Sequence, residues 1–331
     1  VWAMKILIAT RTPEGLPGGS GFHLRNMLEC LEKNGHDVIV WCLDGGNYDA
    51  PLDGRELAEF LAHYTAHKPD ALIADYSWMC PAFDELPASV LKICFVHDLR
   101  CRIIPCLTAI GYQSVQGWIG YKDAQGWTEE KEAALLRKAD VLLVLNNDDA
   151  EYCRRMAPDA KVIRVGIAMD AVEHNPAKEI SGRCIYVGSC NMENLWAIGW
   201  FEREVWPRVL AEVPHATLDK VFGHPDDIEQ HYAEAQIAVV PHIMKGGMKI
   251  KTAEALAHGL PVVGNVCAFD GIDDRDYMGY ATDDPNVMVE KISWGLRLIF
   301  PRIKAYLKSY DYVQNHMTPH TAYGNLLDIL V

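Results

Sequence analysis

Short apolar runs alternate with amphipathic stretches along nearly the whole chain, and the alternation occurs twice. In the first series Lys5–Thr10, Val38–Leu43, Ala71–Ala74, Leu91–Val96, Val141–Leu145 and Lys161–Val165 read as strands, separated by helical segments at about 20–34, 54–67, 129–138 and 147–156. Runs that are apolar throughout suit strands covered on both faces, and strands spaced by helices pair in parallel. The pattern breaks into polar residues with a proline around Asn175–Ser181, where a domain boundary is expected. A second series starts at Cys184–Gly188. It continues through one long helix over about Asn194–Leu210, whose Leu195, Ile198, Trp200, Phe201, Val205 and Val209 recur at helical spacing, with Trp196, Trp200 and Trp206 read as core. Strands at Ala216–Phe222, Ile237–Val240 and Pro261–Gly264 follow, then helices to the end. The expected fold class is α/β, with two parallel-sheet domains, one over 1–175 and one from 176 onward.

Half of the 331 residues are hydrophobic, enough for two cores. A net charge of -14 argues against a sequence-independent grip on nucleic acid or on an anionic membrane. No apolar run reaches the length of a membrane span. Val1-Trp2-Ala3-Met4-Lys5 lacks a secretory h-region, and Met4 reads as the natural start after a three-residue remnant. Ten cysteines without a Cys-x-x-Cys pair, several in apolar runs, point to reduced thiols and a cytoplasmic location. The thirteen histidines form no metal-spaced cluster, so no metal is expected.

The most informative stretch runs from Gly246-Gly247-Met248-Lys249-Ile250-Lys251-Thr252-Ala253-Glu254 through Ala257-His258-Gly259-Leu260-Pro261 into Val262-Val263. A glycine turn opening a helix presents backbone N–H groups at the positive end of the helix dipole, which suits a phosphate. Lys249 and Lys251 add charge where lysine opposes the dipole unless an anion is present. Glu254, one turn deeper, suits a sugar diol. Phosphate and ribose recognised side by side describe a nucleotide-sugar site.

Other candidates lie at strand ends, where open parallel sheets bind ligands. His97 and Asp98 follow Leu91–Val96, and a strand-end imidazole there suits the transferred sugar; Arg100 and Arg102 stand just beyond, within reach of a phosphate or an anionic acceptor. A glycine-rich loop with Trp118, ending near Trp127, suits the acceptor side or a lid. Gly18-Gly19-Ser20-Gly21 precedes a helix, with Asp44 after the second strand. These keep a nicotinamide-dependent reductase or epimerase open, although Leu24 occupies the third glycine position of that fingerprint.

With these residues in view, the chain resembles the GT-B glycosyltransferases, in particular the retaining group 1 branch (family four). The resemblance rests on Gly246–Val263, on Tyr186-Val187-Gly188-Ser189 with the helix bearing Trp200–Pro207, and on Val221-Phe222-Gly223-His224 leading to Ala235–Pro241. In the first half it rests on Gly18–Gly21, Val96-His97-Asp98 and Ala139–Val144. It implies two Rossmann-like domains, 1–175 and 176–308, facing across a cleft, with residues 309–331 crossing back to the N-terminal one. It implies metal-independent, cofactor-free transfer of a sugar from a nucleotide diphosphate to an acceptor hydroxyl, with configuration retained. Donor contacts would come from Gly188, Ser189, Phe222, Gly223, His224, Gly246, Gly247, Met248, Lys249, Lys251, Thr252 and Glu254. Acceptor-side contacts would come from Gly18, Gly19, Ser20, His97, Asp98 and Arg100, and His97, Lys249 and Lys251 are the catalytic candidates. Two departures stand out. Gly246 occupies the first position of the family's paired glutamates, and only His215–Val221 spans the gap between the long helix and the Phe-Gly turn, where relatives carry a strand, a glycine loop and another strand; Ser189-Cys190 also stands where an arginine is often found. They motivate an alternative, a catalytically silent binding or partner subunit. The acceptor stays open among glycans, lipid-linked sugars, metabolites, proteins and modified nucleic-acid bases.

Overall fold

A computed structural model describes residues 3–12, 19–43, 51–110, 127–173, 181–223, 225–273 and 279–330. The chain divides into two compact units, one built from the residues up to Ile167, Gly19 excepted, together with 322–330, the other from 168–321 with Gly19.

In the first unit the strands are β1 (Lys5–Thr10), β2 (Asp37–Cys42), β3 (Ala71–Asp75), β4 (Leu91–Val96), β5 (Val141–Val144) and β6 (Lys161–Arg164). All pair in parallel in the order β2-β1-β3-β4-β5-β6. Its helices are α1 (Gly19–Lys33), α2 (Gly54–His67), α3 (Arg100–Ala109), α4 (Glu129–Leu136) and α5 (Asn147–Met156). The apolar runs behave as strands covered on both sides: Ile6, Leu7, Ile8 and Ala9 are fully buried. One face packs Leu7, Leu72, Cys94 and Val96 against Trp41, Phe60, Met79 and Leu136. Local chemistry sets the ends. Asp53 caps α2 reciprocally with Glu56, and Asn146 accepts from the Asp149 N–H at the start of α5.

The second unit holds β7 (Arg183–Gly188), β8 (Thr217–Phe222), β9 (Ile237–Val240), β10 (Val262–Gly264) and β11 (Gly279–Ala281), parallel in the order β11-β10-β9-β7-β8. Its helices are α6 (Met192–Glu204), α7 (Trp206–Glu212), α8 (Ile228–Glu234), α9 (Ile250–Ala257), α10 (Pro285–Arg297) and α11 (Ile299–His316), with α12 (Pro319–Leu327) leading out of it. No described helix is long and apolar enough to cross a membrane.

Four expectations need correction. The single helix over 194–210 is two, α6 and α7, because Pro207 lacks an N–H and breaks the ladder at Val205. Leu195 lies outside the core, 42% exposed, and Trp200 and Trp206 pack on the core only in part. The break expected at 175/176 falls at 167/168. The segment after β6 is already bonded into the second unit, where the Met169 N–H donates to the Met317 carbonyl and the Val172 N–H to that of Ala257. The return to the first unit begins at Ala322 and not at 309, since α11 runs unbroken past that point.

The returning residues complete the first core. Tyr323, Leu326 and Leu330 are fully buried, and the Gly166 N–H donates to the Ala322 carbonyl at 2.9 Å. Leu326→Ala is expected to lower stability by about 2–5 kcal/mol, read from the midpoint of urea unfolding at constant m-value.

Candidate functional site

In each sheet the chain runs to one side of the first strand and then to the other. That places a topological switch point between β1 and β3 in one unit and between β7 and β9 in the other, where open α/β sheets bind ligands. Both switch points gather buried polar side chains.

At the carboxyl end of β7 a Cβ on Gly188 would meet the Tyr186 hydroxyl at 2.7 Å, so only glycine fits. Asn191 caps α6 by accepting from the Asn194 N–H. The Asn194 amide donates to the carbonyl and hydroxyl of Ser189 at 3.2 and 3.1 Å. Its oxygen accepts from the Lys251 ammonium at 2.6 Å, and that ammonium also lies 5.2 Å from the centre of the Tyr186 ring. Gly246 and Gly247 both adopt positive φ, 91° and 62°, and turn the chain into α9. The Gly246 N–H is committed to Asp270 at 2.8 Å, so that amide is not presented to a ligand. Lys249, at the N-cap of α9, donates to the Gly246 carbonyl. Met248 is half-buried.

Electrostatically this corner is overloaded with positive charge. Burial, and then the neighbouring Lys249, push the Lys251 ammonium down to about 8, against the opposing pull of Glu193 and Glu254. Burial and both lysines hold the His242 imidazole well below its usual value. Two cations and a neutral imidazole collect at the N-terminus of a helix, whose dipole adds a further positive end.

Glu254 is oriented by the core. Its Oε2 accepts from the Tyr232 hydroxyl at 3.0 Å, and the Tyr232 ring stacks on His258 at 4.2 Å. His258 is itself fixed by the Glu254 backbone carbonyl and the Glu229 carboxylate, 2.8 and 2.6 Å from its two nitrogens. Thr252 does not join the site, since its hydroxyl is fully buried against the Ala268 carbonyl. Phe222 stands partly exposed at the end of β8, edge-on to Tyr186, and the Gly223 N–H closes the turn on the Gly188 carbonyl. His224 lies outside the described residues.

In the first unit the three strands at the switch point converge. Asp75, ending β3, accepts from the Thr10 hydroxyl at 2.5 Å and holds His97 Nε2 at 2.6 Å, all three buried. Stacked rings clamp His97: Phe95 on one side at 4.1 Å and Tyr76 at 4.3 Å. Tyr76 is held at φ 78°, a left-handed conformation costly for a side chain this large. Its ring continues onto Trp78 at 4.1 Å, and the Arg100 guanidinium lies over both Trp78 and Trp127 at 4.3 and 4.8 Å. Ser20, in the first turn of α1 after Gly19, shares a 2.5 Å hydrogen bond with the Tyr76 hydroxyl. Asp98 is half-buried beside this column. Arg102 is not available for a ligand, because it is ion-paired to the buried Asp149. Gly18, Asp44 and the loop with Trp118 lie outside the described residues.

Sequence reasoning missed Asp75, Asn194, Tyr232 and His242. An acid ending the apolar run Ala71–Asp75 and a histidine directly after the strand-end Pro241 were visible signals; the other two become legible only through their partners. Among the described residues no group of three or more His, Cys, Asp or Glu side chains is placed to hold a metal ion. None of the ten cysteines is joined in a disulfide.

Comparison with known proteins agrees with this architecture. Residues 215–297 match the family described as glycosyl transferases group 1. No curated protein matches the sequence. Among solved structures, sucrose-phosphate synthase from Thermosynechococcus elongatus superposes with a TM-score of 0.68 at 14% identity, covering 99% of both chains. HepE from Anabaena, solved with UDP and glucose, superposes at 0.65 and 11% identity, again over 99% of both. TarM from S. aureus, solved with UDP, fondaparinux and an α-GlcNAc-glycerol, gives 0.63 at 11% identity over 83% of this chain, which spans 58% of TarM. The fold is therefore that of the GT-B glycosyltransferases. The matched segment carries β8 to α10, and over that stretch the second unit is similar to the group 1 glycosyl transferases.

Proposed function

We propose that the chain transfers a sugar from a nucleoside-diphosphate sugar to an acceptor hydroxyl, with retention at the anomeric carbon and without a metal ion or cofactor. The observation that carries this reading is the cationic corner at the start of α9, with Glu254 one turn deeper. As the bond between the anomeric carbon and the diphosphate oxygen breaks, negative charge grows on the departing phosphate. Lys249, Lys251 and the helix end stabilise that charge where it develops, the task a divalent cation performs in metal-dependent transfer. The acceptor oxygen bonds to the anomeric carbon and its proton passes to the departing phosphate. Glu254 takes the ribose hydroxyls and the turn at Phe222-Gly223 meets the base. The first unit recognises the acceptor and the transferred sugar through His97, whose Nε2 faces Asp75 and whose Nδ1 is left for a hydroxyl. UDP in the HepE and TarM structures makes a uridine diphosphate sugar the first donor to test. Ten cysteines outside any disulfide fit a cytoplasmic location.

A thermal-shift panel of UDP, GDP, ADP and their sugars tests the donor, since a ligand at a hundred times its Kd stabilises by about 2.7 kcal/mol. Product NMR reads the anomeric configuration, and turnover in EDTA tests metal independence. No shift with any nucleotide across the panel sinks the reading. Glu254→Ala is expected to weaken donor binding about 10- to 100-fold, measured by calorimetry, with little change in the affinity for inorganic pyrophosphate.

A further inference from the structure

We propose that His242 is a third partner of the donor diphosphate, an uncharged imidazole that hydrogen-bonds a phosphate oxygen beside Lys249 and Lys251. The proposal rests on the donor reading above.

His242 stands two residues beyond β9, at the switch point between β7 and β9. The residue is 5% exposed, and neither ring nitrogen has a hydrogen-bond partner among the described residues. Leaving a buried polar atom unpaired is costly, and such groups in native proteins call for a reason. Its backbone is pinned on both sides. The N–H donates to the Asn265 side chain at 3.0 Å, and the carbonyl accepts from the Cys267 thiol at 3.4 Å. A buried residue whose backbone is held this firmly and whose ring nitrogens are unanswered is a preorganised donor.

The type of residue also follows from the surroundings. Lys249 and Lys251 already repel one another here, and both bear on His242. A third permanent cation would add to that repulsion in the free protein. A neutral imidazole adds one N–H to the anion's set of donors without adding charge, and both lysines suppress its protonation. Packing alone would be served by leucine or phenylalanine, which bring no unpaired nitrogens.

The test uses the full chain and three probes, UDP, inorganic pyrophosphate and uridine, titrated by calorimetry into wild type, His242→Ala and His242→Gln. Alanine is expected to weaken UDP and pyrophosphate at least 10-fold. Glutamine, which keeps an N–H donor, is expected to weaken them about 3-fold or less, and uridine should bind all three proteins alike. Melting temperatures confirm that each variant is folded, and the glutamine variant decides the matter should alanine fail to fold. Equal UDP affinity in wild type and the variants overturns the role of His242 and leaves the donor reading standing. Wild type that binds neither UDP nor pyrophosphate overturns both.

Discussion

Lys251→Met is expected to lower kcat/KM for sugar transfer by about 10²–10³ while making the protein more stable. The two effects come from one cause. In the unfolded chain this lysine titrates near 10.5, and in the folded protein burial and Lys249 bring it down to about 8. Below pH 8 both states are protonated, and the folded one carries the full penalty of a crowded charge, at most about 3 kcal/mol. Between 8 and 10.5 the unfolded chain binds the extra proton, so stability rises with pH across that window. Methionine fills the same space without the charge. It forfeits the hydrogen bond to Asn194, worth about 1 kcal/mol, so a net gain of about 1–2 kcal/mol remains at pH 7. Differential scanning calorimetry at pH 7 and pH 10 reads it, with the gain shrinking at the higher pH. A variant that is less stable and still turns over normally would remove the diphosphate role from this lysine.

Asp75→Ala is expected to lower stability by about 3 kcal/mol, measured by urea unfolding, because it strands two buried partners at once, the Thr10 hydroxyl and His97 Nε2. Asp75→Asn, which keeps an acceptor, should cost about half as much. The functional signature is separate from the fold. With the carboxylate gone nothing fixes which His97 nitrogen carries the proton, so transfer to the acceptor is expected to fall while UDP affinity, which the proposed function assigns to the second unit, stays within about 2-fold. Loss of UDP binding in the asparagine variant would show that Asp75 serves general stability alone.

The alternation of elements was legible because buried parallel strands need unbroken apolar runs; β4, β9, α2 and α5 fall where the sequence places them. Other elements were hidden for physical reasons. Pro207 divides a helix whose apolar spacing continues across it, and α3 forms in spite of an internal Pro105. β11, three residues long, is held by pairing to β10 rather than by its own pattern. Glycine turn, lysines and Glu254 could be read from one helix start, since they share a few residues of sequence. Their partners could not: Tyr232 stands 22 residues from Glu254, and Lys251 reaches 57 residues back to Asn194. Likewise Asp75 and His97 meet only because β3 and β4 are neighbours in the sheet.

The first unit recovers its last core side chains from residues 322–330. On the ribosome, then, the order of synthesis and the order of completion are reversed. Residues 168–321 emerge as a full set and can close their own core. The sheet made first must wait, with the places of Tyr323, Leu326 and Leu330 unfilled, until translation has passed them. A chain released just before Ala322 would hold a finished second unit and an unfinished first, a state for proteases and chaperones to find.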